Sequence, residues 1–436
     1  MRARAASGRD PLKEDVLSLP ASGSPTGDSA LPWSFHLKTF LAVLGPGLIV
    51  MLADTDVGSI ITAAQSGAQW GYQLLSLQIM LIPILYVAQE LTVRLGIFTG
   101  KGHGELIRSR FGPVWAWISV GGLILASIGA LLTEFSGVAS VASLFGVPRV
   151  WGLGLVIAFL LIVVWTGTYR RVERIAIALG LFELVFFVIA IAAHPDIGVM
   201  GTQVMALPIT HVSFLVLVSA NIGAVIMPWM IFYQQSAVTD KGLRPEHYQH
   251  ARWDTGIGAV VTQLIMAAVL IATAATIGTT NPHVPLNTVG QVSHVLTPFL
   301  GPLLGKVIYS LGILGAAAVA AIVVSLAVAW SVGEVTGYRH SLELEPRQAP
   351  WFYTVYTIVI LAGGVIVAVA RNLVTLVIVV EVMNAFLLPL VLGFLVALAI
   401  FALPAEHRLR GWYRWFVVGI FILTASLGIY GGLAGL

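Results

Sequence analysis

The chain carries eleven apolar stretches long enough to cross a bilayer, and they occupy nearly everything after its first 36 residues. A spanning helix needs roughly 17–25 predominantly apolar residues. The stretches run over Phe40–Ala68, Leu74–Gly96, Val114–Phe145, Val150–Trp165, Ile175–Ala193, Phe214–Val238, Gly256–Ile277, Leu304–Val332, Phe352–Val369, Leu373–Phe401 and Trp412–Leu436. Apolar residues fill 58% of the 436 positions and charged residues 10%, against about 25% charge in a soluble domain. Water cannot solvate so apolar a surface, so the lipid bilayer has to cover it. The predicted fold is all-α, a membrane domain over 37–436 with about eleven transmembrane helices. Residues 1–36 are rich in Ser, Pro, Gly and charge without an apolar period, which predicts a disordered cytoplasmic tail.

The loops give an independent check on the span count. Lys and Arg gather on the cytoplasmic side of a membrane protein. Here the loops after even-numbered spans are basic: Lys101, Arg108 and Arg110; Arg170, Arg171 and Arg174; Lys241, Arg244 and Arg252; Arg339 and Arg347; Arg408, Arg410 and Arg414. The alternate loops hold only Arg149, Lys306 and Arg371. This alternation places the N-terminus in the cytoplasm and the C-terminus outside. With no mitochondrial presequence and no long extracellular loops, the expected location is a prokaryotic plasma (inner) membrane.

Two of the spans are interrupted, and they lie five apart. Span one contains Gly45-Pro46-Gly47 and then Asp54-Thr55-Asp56-Val57-Gly58-Ser59. A charged side chain at the bilayer centre costs roughly 2.5–3.5 kcal/mol on insertion scales, so it persists only beside a cavity or a partner. Span six contains Asn221-Ile222-Gly223-Ala224-Val225-Ile226-Met227-Pro228-Trp229, where proline removes a backbone donor and breaks the helical ladder. Paired breaks in two halves of a chain point to a binding site lined by unwound backbone carbonyls. Two five-helix repeats, about 37–195 and 212–401, are then inverted relative to each other, because each holds an odd number of spans. The helix over 412–436 stands outside the repeat. Ordinary Gly and Pro kinks are the alternative reading of either break taken singly.

Other polar residues lie deep in the spans. Glu134, Glu183 and Glu381 are intramembrane carboxylates and thus functional candidates. For Glu381 the alternatives are the ion path or a structural pair, such as one with Arg371. Asp54 either joins Asp56 at one ion, or caps the next half-helix or pairs elsewhere. Gln263 either bonds the unwound part of span one or a neighbouring helix. Glu90 and Arg94 are spaced as an i,i+4 ion pair, and Glu334 is expected at the interface. His211, His283 and His294 fall in extracellular loops. Trp115, Trp151, Trp253, Trp351, Trp412 and Trp415 sit at span ends, as an interfacial aromatic belt requires.

The sequence excludes several classes. There are no cysteines, hence no disulfide, zinc–thiolate or iron–sulfur site. There is no P-loop and therefore no ATPase engine. Gly100-Lys101-Gly102-His103-Gly104 lacks that spacing and reads as a cytoplasmic turn. Basic residues do not form a nucleic-acid stripe. The chain is not expected to be an enzyme, to hold a cofactor, or to need an obligatory protein partner.

The chain resembles the Nramp family of divalent-metal transporters over most of Gly45–Pro389. Gly45-Pro46-Gly47 is similar to the family's opening of span one, and Asp56-Val57-Gly58-Ser59 stands where the family has Asp-Pro-Gly-Asn. Gly67-Ala68-Gln69-Trp70-Gly71-Tyr72 and Arg94-Leu95-Gly96-Ile97-Phe98-Thr99-Gly100-Lys101 match further on. Gly223-Ala224-Val225-Ile226-Met227-Pro228 matches the family's Gly-Ala-x-x-Met-Pro. The resemblance implies a LeuT-type inverted 5+5 repeat with discontinuous helices 1 and 6. It also implies that Asp56, Ser59, the carbonyl of Ala224 and the sulfur of Met227 surround a divalent ion. Oxygen ligands suit hard ions, and a thioether favours Mn²⁺, Fe²⁺ or a softer ion over Mg²⁺. The bland reading of Met227 is a core methionine beside a kink.

The departures bear on mechanism. Ser59 replaces the family's asparagine and Val57 its proline. Trp229 stands where the family has a histidine, with Gln234 or Gln235 near its second. Glu134 matches a family carboxylate, while Leu131 replaces an aspartate three residues earlier. Leu131 and Trp229 cannot titrate, so proton coupling is not expected to carry over. The reading is a secondary-active importer of a Mn²⁺/Fe²⁺-like ion by alternating access. Asp54, Glu134, Gln263, Trp229 and Glu381 are further ion-site or coupling candidates. The alternative is an Nramp-related transporter of another solute, such as Mg²⁺, an amino acid or an organic cation.

Overall fold

The computed structural model describes residues 43–278, 285–286, 289–296, 300–369 and 373–435. The expected tail over 1–36, His283 and Arg371 lie outside the described residues. Among the described residues all regular structure is helical. The helices are α1 (Pro46–Asp54), α2 (Val57–Trp70), α3 (Leu75–Thr99), α4 (His103–Phe111), α5 (Pro113–Leu144), α6 (Arg149–Thr166), α7 (Tyr169–Gly180), α8 (Val185–Ala192) and α9 (Ile197–Gln203). They continue with α10 (Val212–Val225), α11 (Pro228–Asp240), α12 (Tyr248–Thr273), α13 (Val289–Leu296), α14 (Pro302–Thr336), α15 (Pro350–Val369), α16 (Leu373–Phe401) and α17 (Gly411–Ala434).

Ten helical segments among the described residues are long and apolar enough to cross a membrane, and the bent pair α1–α2 brings the number of spans to eleven. Span one is α1 plus α2, meeting at 46°. Span six is α10 plus α11. α14 runs through the middle of the bundle against α5, α11 and α15, while α6 and the α7–α8 span lie at the lipid-facing periphery. α17 packs along α10 and α16. The six tryptophans at span ends are all exposed, as residues of a lipid-facing belt must be.

Three local features refine the expectations. The fifth span is not one continuous helix: a 3₁₀ turn at Leu181–Leu184 separates α7 from α8, with Glu183 in it. Glu334, near the end of α14, is buried within the protein, where Ser236 Oγ (2.6 Å) and the backbone N–H of Gly104 (2.9 Å) both donate to it. The glycine-rich turn is short, and α4 begins within it at His103. The Glu90–Arg94 pair forms as expected, with Arg94 Nη2 2.7 Å from Glu90 Oε2.

The N-terminal end of α1 is tied down by side chains from distant sequence. Asp254 on α12 accepts from the backbone N–H groups of Gly45 (3.3 Å), Gly47 (2.9 Å) and Leu48 (3.0 Å). Those are orphan donors of a helix N-terminus, which attract a carboxylate. Lys241 Nζ donates to the carbonyls of Val43 (3.3 Å) and Leu44 (2.9 Å) and pairs with Glu173 at 2.7 Å.

Candidate ion-binding site at the two helix breaks

The first break forms although valine stands where a proline would enforce it. α1 ends at Asp54, Thr55 leaves the helical region (φ −77°, ψ 48°), and Asp56 is extended (φ −76°, ψ 174°). Asp56 then caps α2: its Oδ1 accepts from Ser59 N at 2.7 Å. An Asp N-cap satisfies a donor that the helix cannot, and this supplies the stop and restart. The cap role considered for Asp54 therefore belongs to Asp56. Asp56 Oδ2 is buried and has no hydrogen-bond partner.

The second break follows from Pro228. Ile226 (φ −125°, ψ 81°) and Met227 (φ −91°, ψ 143°) are non-helical, and α11 starts at the proline. Pro228 has no N–H, so the carbonyl four residues back, that of Ala224, has no helical donor. Ser59 Oγ donates to that carbonyl at 3.1 Å and so joins the two breaks. Trp229 is fully buried, and its Nε1–H donates to Met227 Sδ at 3.2 Å. The site thus lies between the C-terminal ends of α1 and α10 and the N-terminal ends of α2 and α11. Helix C-termini attract cations.

Two more carboxylates converge on the start of α2. Glu134 on α5 accepts from Val57 N at 3.3 Å through Oε2 and from Thr133 Oγ1 at 3.0 Å through Oε1. Glu381 on α16 accepts from Asn384 Nδ2 at 3.1 Å through Oε2. Its Oε1 has no partner and lies against Gly58, where a Cβ would collide with it. The backbone carbonyl of Glu381 touches Gly223 on α10 in the same way. Asp56, Ser59, Ala224, Met227, Glu134 and Glu381 are each at most 1% exposed, so this conformation seals the site from water. Among the described residues no three His, Asp or Glu side chains gather as a metal cluster. The polar atoms gathered at the two breaks are carboxylate, hydroxyl and carbonyl oxygens and a thioether sulfur.

The remaining candidates separate from this group. Asp54 turns to α12, where Thr262 Oγ1 is 3.4 Å from its Oδ2. Gln263 is buried with neither side-chain heteroatom hydrogen-bonded, so it does not bond the unwound segment here. Thr55 Oγ1 and Thr262 Oγ1 are 2.6 Å apart. Thr262 and Asp254 were not legible in the sequence, since neither carries a motif and both act through tertiary contact.

The family model described as "Natural resistance-associated macrophage protein-like" matches residues 47–434. The chain belongs to the Nramp family. Among relatives of this Nramp chain, the divalent metal cation transporter MntH of Yersinia pestis is 30% identical over 274 residues, covering 61% of this chain and 66% of the relative. The protein of the same name from Bradyrhizobium diazoefficiens is 27% identical over 289 residues, covering 64% of each. The chain thus spans just under two thirds of the length of these curated relatives. In three dimensions it is similar to the manganese transporter of Eremococcus coleocola, at 21% identity and a TM-score of 0.72, covering 94% of this chain and 90% of that one. MhsT bound to L-phenylalanine shares the fold at 15% identity and a TM-score of 0.57, covering 93% and 99%. These likenesses establish the LeuT-type architecture of this Nramp member, a multi-pass membrane protein, with the breaks in helices 1 and 6 where the sequence puts them.

Proposed function

We propose that the chain imports a divalent metal ion of the Mn²⁺ or Fe²⁺ kind by alternating access across a plasma membrane, with its N-terminus cytoplasmic and its C-terminus outside. The observation that carries this reading is the meeting of an unpartnered Asp56 oxygen, the Ser59 hydroxyl, the Ala224 carbonyl and the Met227 sulfur at two helix breaks. Glu134 and Glu381 add negative charge beside that ion. The names of the MntH relatives agree with this substrate class. Entry needs no proton: an inside-negative potential contributes about 2.3 kcal/mol per charge per 100 mV, and a divalent ion gains twice that. Lipid is the only partner the reading requires. Asp56→Ala in proteoliposomes tests it. Mn²⁺ uptake is expected to vanish while the variant still elutes as a folded monodisperse species. Undiminished uptake would refute the site.

A second reading rests on the Trp229–Met227 bond. The indole N–H occupies the sulfur, and Ser59 offers a hydroxyl rather than an amide oxygen. The ligands left are oxygens, which suit a hard ion such as Mg²⁺. Calorimetric titration separates the two readings. Heat with Mn²⁺ and Cd²⁺ but not Mg²⁺ favours the first, and the reverse pattern the second. Silence with all three ions points to an organic solute.

A further inference from the structure

Beside the first break lies a second set of buried oxygens that the proposed metal site does not use. Asp54 is the last residue of α1, at the negative end of the helix dipole, which disfavours a carboxylate. Its Oδ1 is buried without a partner. Glu183 sits in the 3₁₀ turn of span five, is fully buried, and has no hydrogen-bond partner on either oxygen. Its carboxylate faces Thr55 and lies in the fields of Asp56 and, more weakly, Asp54. The approach is close because Gly180, three residues before Glu183, packs on Leu52, two residues before Asp54: a Cβ on that glycine would lie 2.7 Å from Leu52 Cδ1. From the other side, Thr262 on α12 meets Thr55 at 2.6 Å and Asp54 at 3.4 Å. Among the described residues no basic side chain bonds to either carboxylate.

Two buried carboxylates without a cationic partner are costly unless a cation joins them. We propose that Asp54, Glu183, Thr55 and Thr262 form a second cation site, oxygen-only, that takes a sodium ion. The absence of a sulfur ligand makes it a site for a hard ion. Thr262 already engages one Asp54 oxygen, so the remaining ligands are few, part charged and part neutral. Magnesium demands near-ideal octahedral coordination and sheds water reluctantly, which such a set does not reward. Asp54 and Asp56 flank a single residue at the break, so an ion held by one fixes the backbone that presents the other. The site therefore offers a route for coupling where Leu131 and Trp229 offer none. It does not depend on which ion the Asp56 site carries.

Thermal unfolding of the purified full chain tests the proposal, in NaCl against choline chloride at equal ionic strength. Sodium is expected to raise the midpoint by about 2 °C. Glu183→Gln keeps the shape of the side chain and is expected to abolish that rise. Thr262→Val provides the same test should the first variant fail to fold, with sodium affinity weaker by about tenfold. Cd²⁺ binding measured by calorimetry in choline chloride, without sodium, should be unchanged in Glu183→Gln, which separates this site from the Asp56 site. Equal midpoints for the unmodified chain in the two salts overturn the proposal, as does a full sodium response in Glu183→Gln. A rise produced by MgCl₂ but not NaCl overturns the assignment to an alkali ion.

Discussion

Asp254, on α12, holds the start of α1 through Gly47: the glycine N–H donates to Asp254 Oδ2 at 2.9 Å, with Gly45 and Leu48 donating beside it. A carboxylate shared by three backbone donors acts as an external cap. It anchors the first half-helix of span one, whose C-terminal end lies at the first break.

Asp254→Ala is expected to loosen α1 and to cost about 2–4 kcal/mol of stability, because each charge-assisted bond contributes about 1.5–3 kcal/mol and the three are not additive. The chain has no cysteine, so a single Ala53→Cys reporter can be labelled cleanly. Ala53 is fully buried, and labelling of the cysteine by a membrane-impermeant maleimide should speed up in the Asp254→Ala background. An unchanged rate would show that the cap does not hold α1.

Trp229 and Met227 set the softness of the proposed metal site. Trp229→Phe keeps an aromatic ring and removes the N–H that occupies the sulfur. Cd²⁺ affinity should rise by about fivefold, the equivalent of one neutral hydrogen bond of about 1 kcal/mol, with Mg²⁺ affinity unchanged. Calorimetry with both ions reads the difference. Equal changes for the two would show that the indole acts by shape alone.

Glu381→Gln preserves an acceptor for Asn384 and removes one negative charge beside Asp56. Divalent-ion affinity is expected to fall by about tenfold, the effect of losing about 1.4 kcal/mol of attraction. If Glu381 serves only to pack α16, the isosteric change will leave the titration where it was.

His103 supplies a pH prediction outside the membrane spans. It is buried against Phe232, with Nδ1 2.8 Å from Gln235 Oε1, and burial pushes its pKa down to about 4. Between about pH 6.5 and 4 the unfolded chain binds a proton that the folded chain refuses, so stability falls as the pH falls through that window. The loss reaches about 3 kcal/mol at the acid end, at 1.36 kcal/mol per pKa unit. His103→Gln should flatten the pH dependence of the unfolding midpoint there. A parallel, unflattened profile would assign the acid sensitivity to other groups.

Much of this was legible from local sequence. Asp56 and Pro228 each act on the backbone within four residues of themselves, so Asp56-Val57-Gly58-Ser59 and Met227-Pro228 mark both breaks without tertiary knowledge. The apolar runs give the spans because the bilayer requires a minimum length of each. Side chains whose role depends on a neighbour from elsewhere in the chain were not legible. Glu334 falls near a span end, but Gly104 and Ser236 bury it. Glu183 falls in a run that reads as unbroken helix, and Asp254 belongs to no motif although it caps a helix more than 200 positions away. Valine at 57 removed a helix breaker, yet the cap by Asp56 made the break anyway.

The contact of Gly223 with the Glu381 backbone has a consequence for how such a machine can move. With no side chain between them, α10 and α16 meet backbone to backbone and have little freedom to slide past each other. If the chain works by alternating access as proposed, α10 and α16 are expected to move together, and the rearrangement falls to other helices. A methyl group at position 223 would wedge the two helices apart and displace the acid on α16 without altering any ligand.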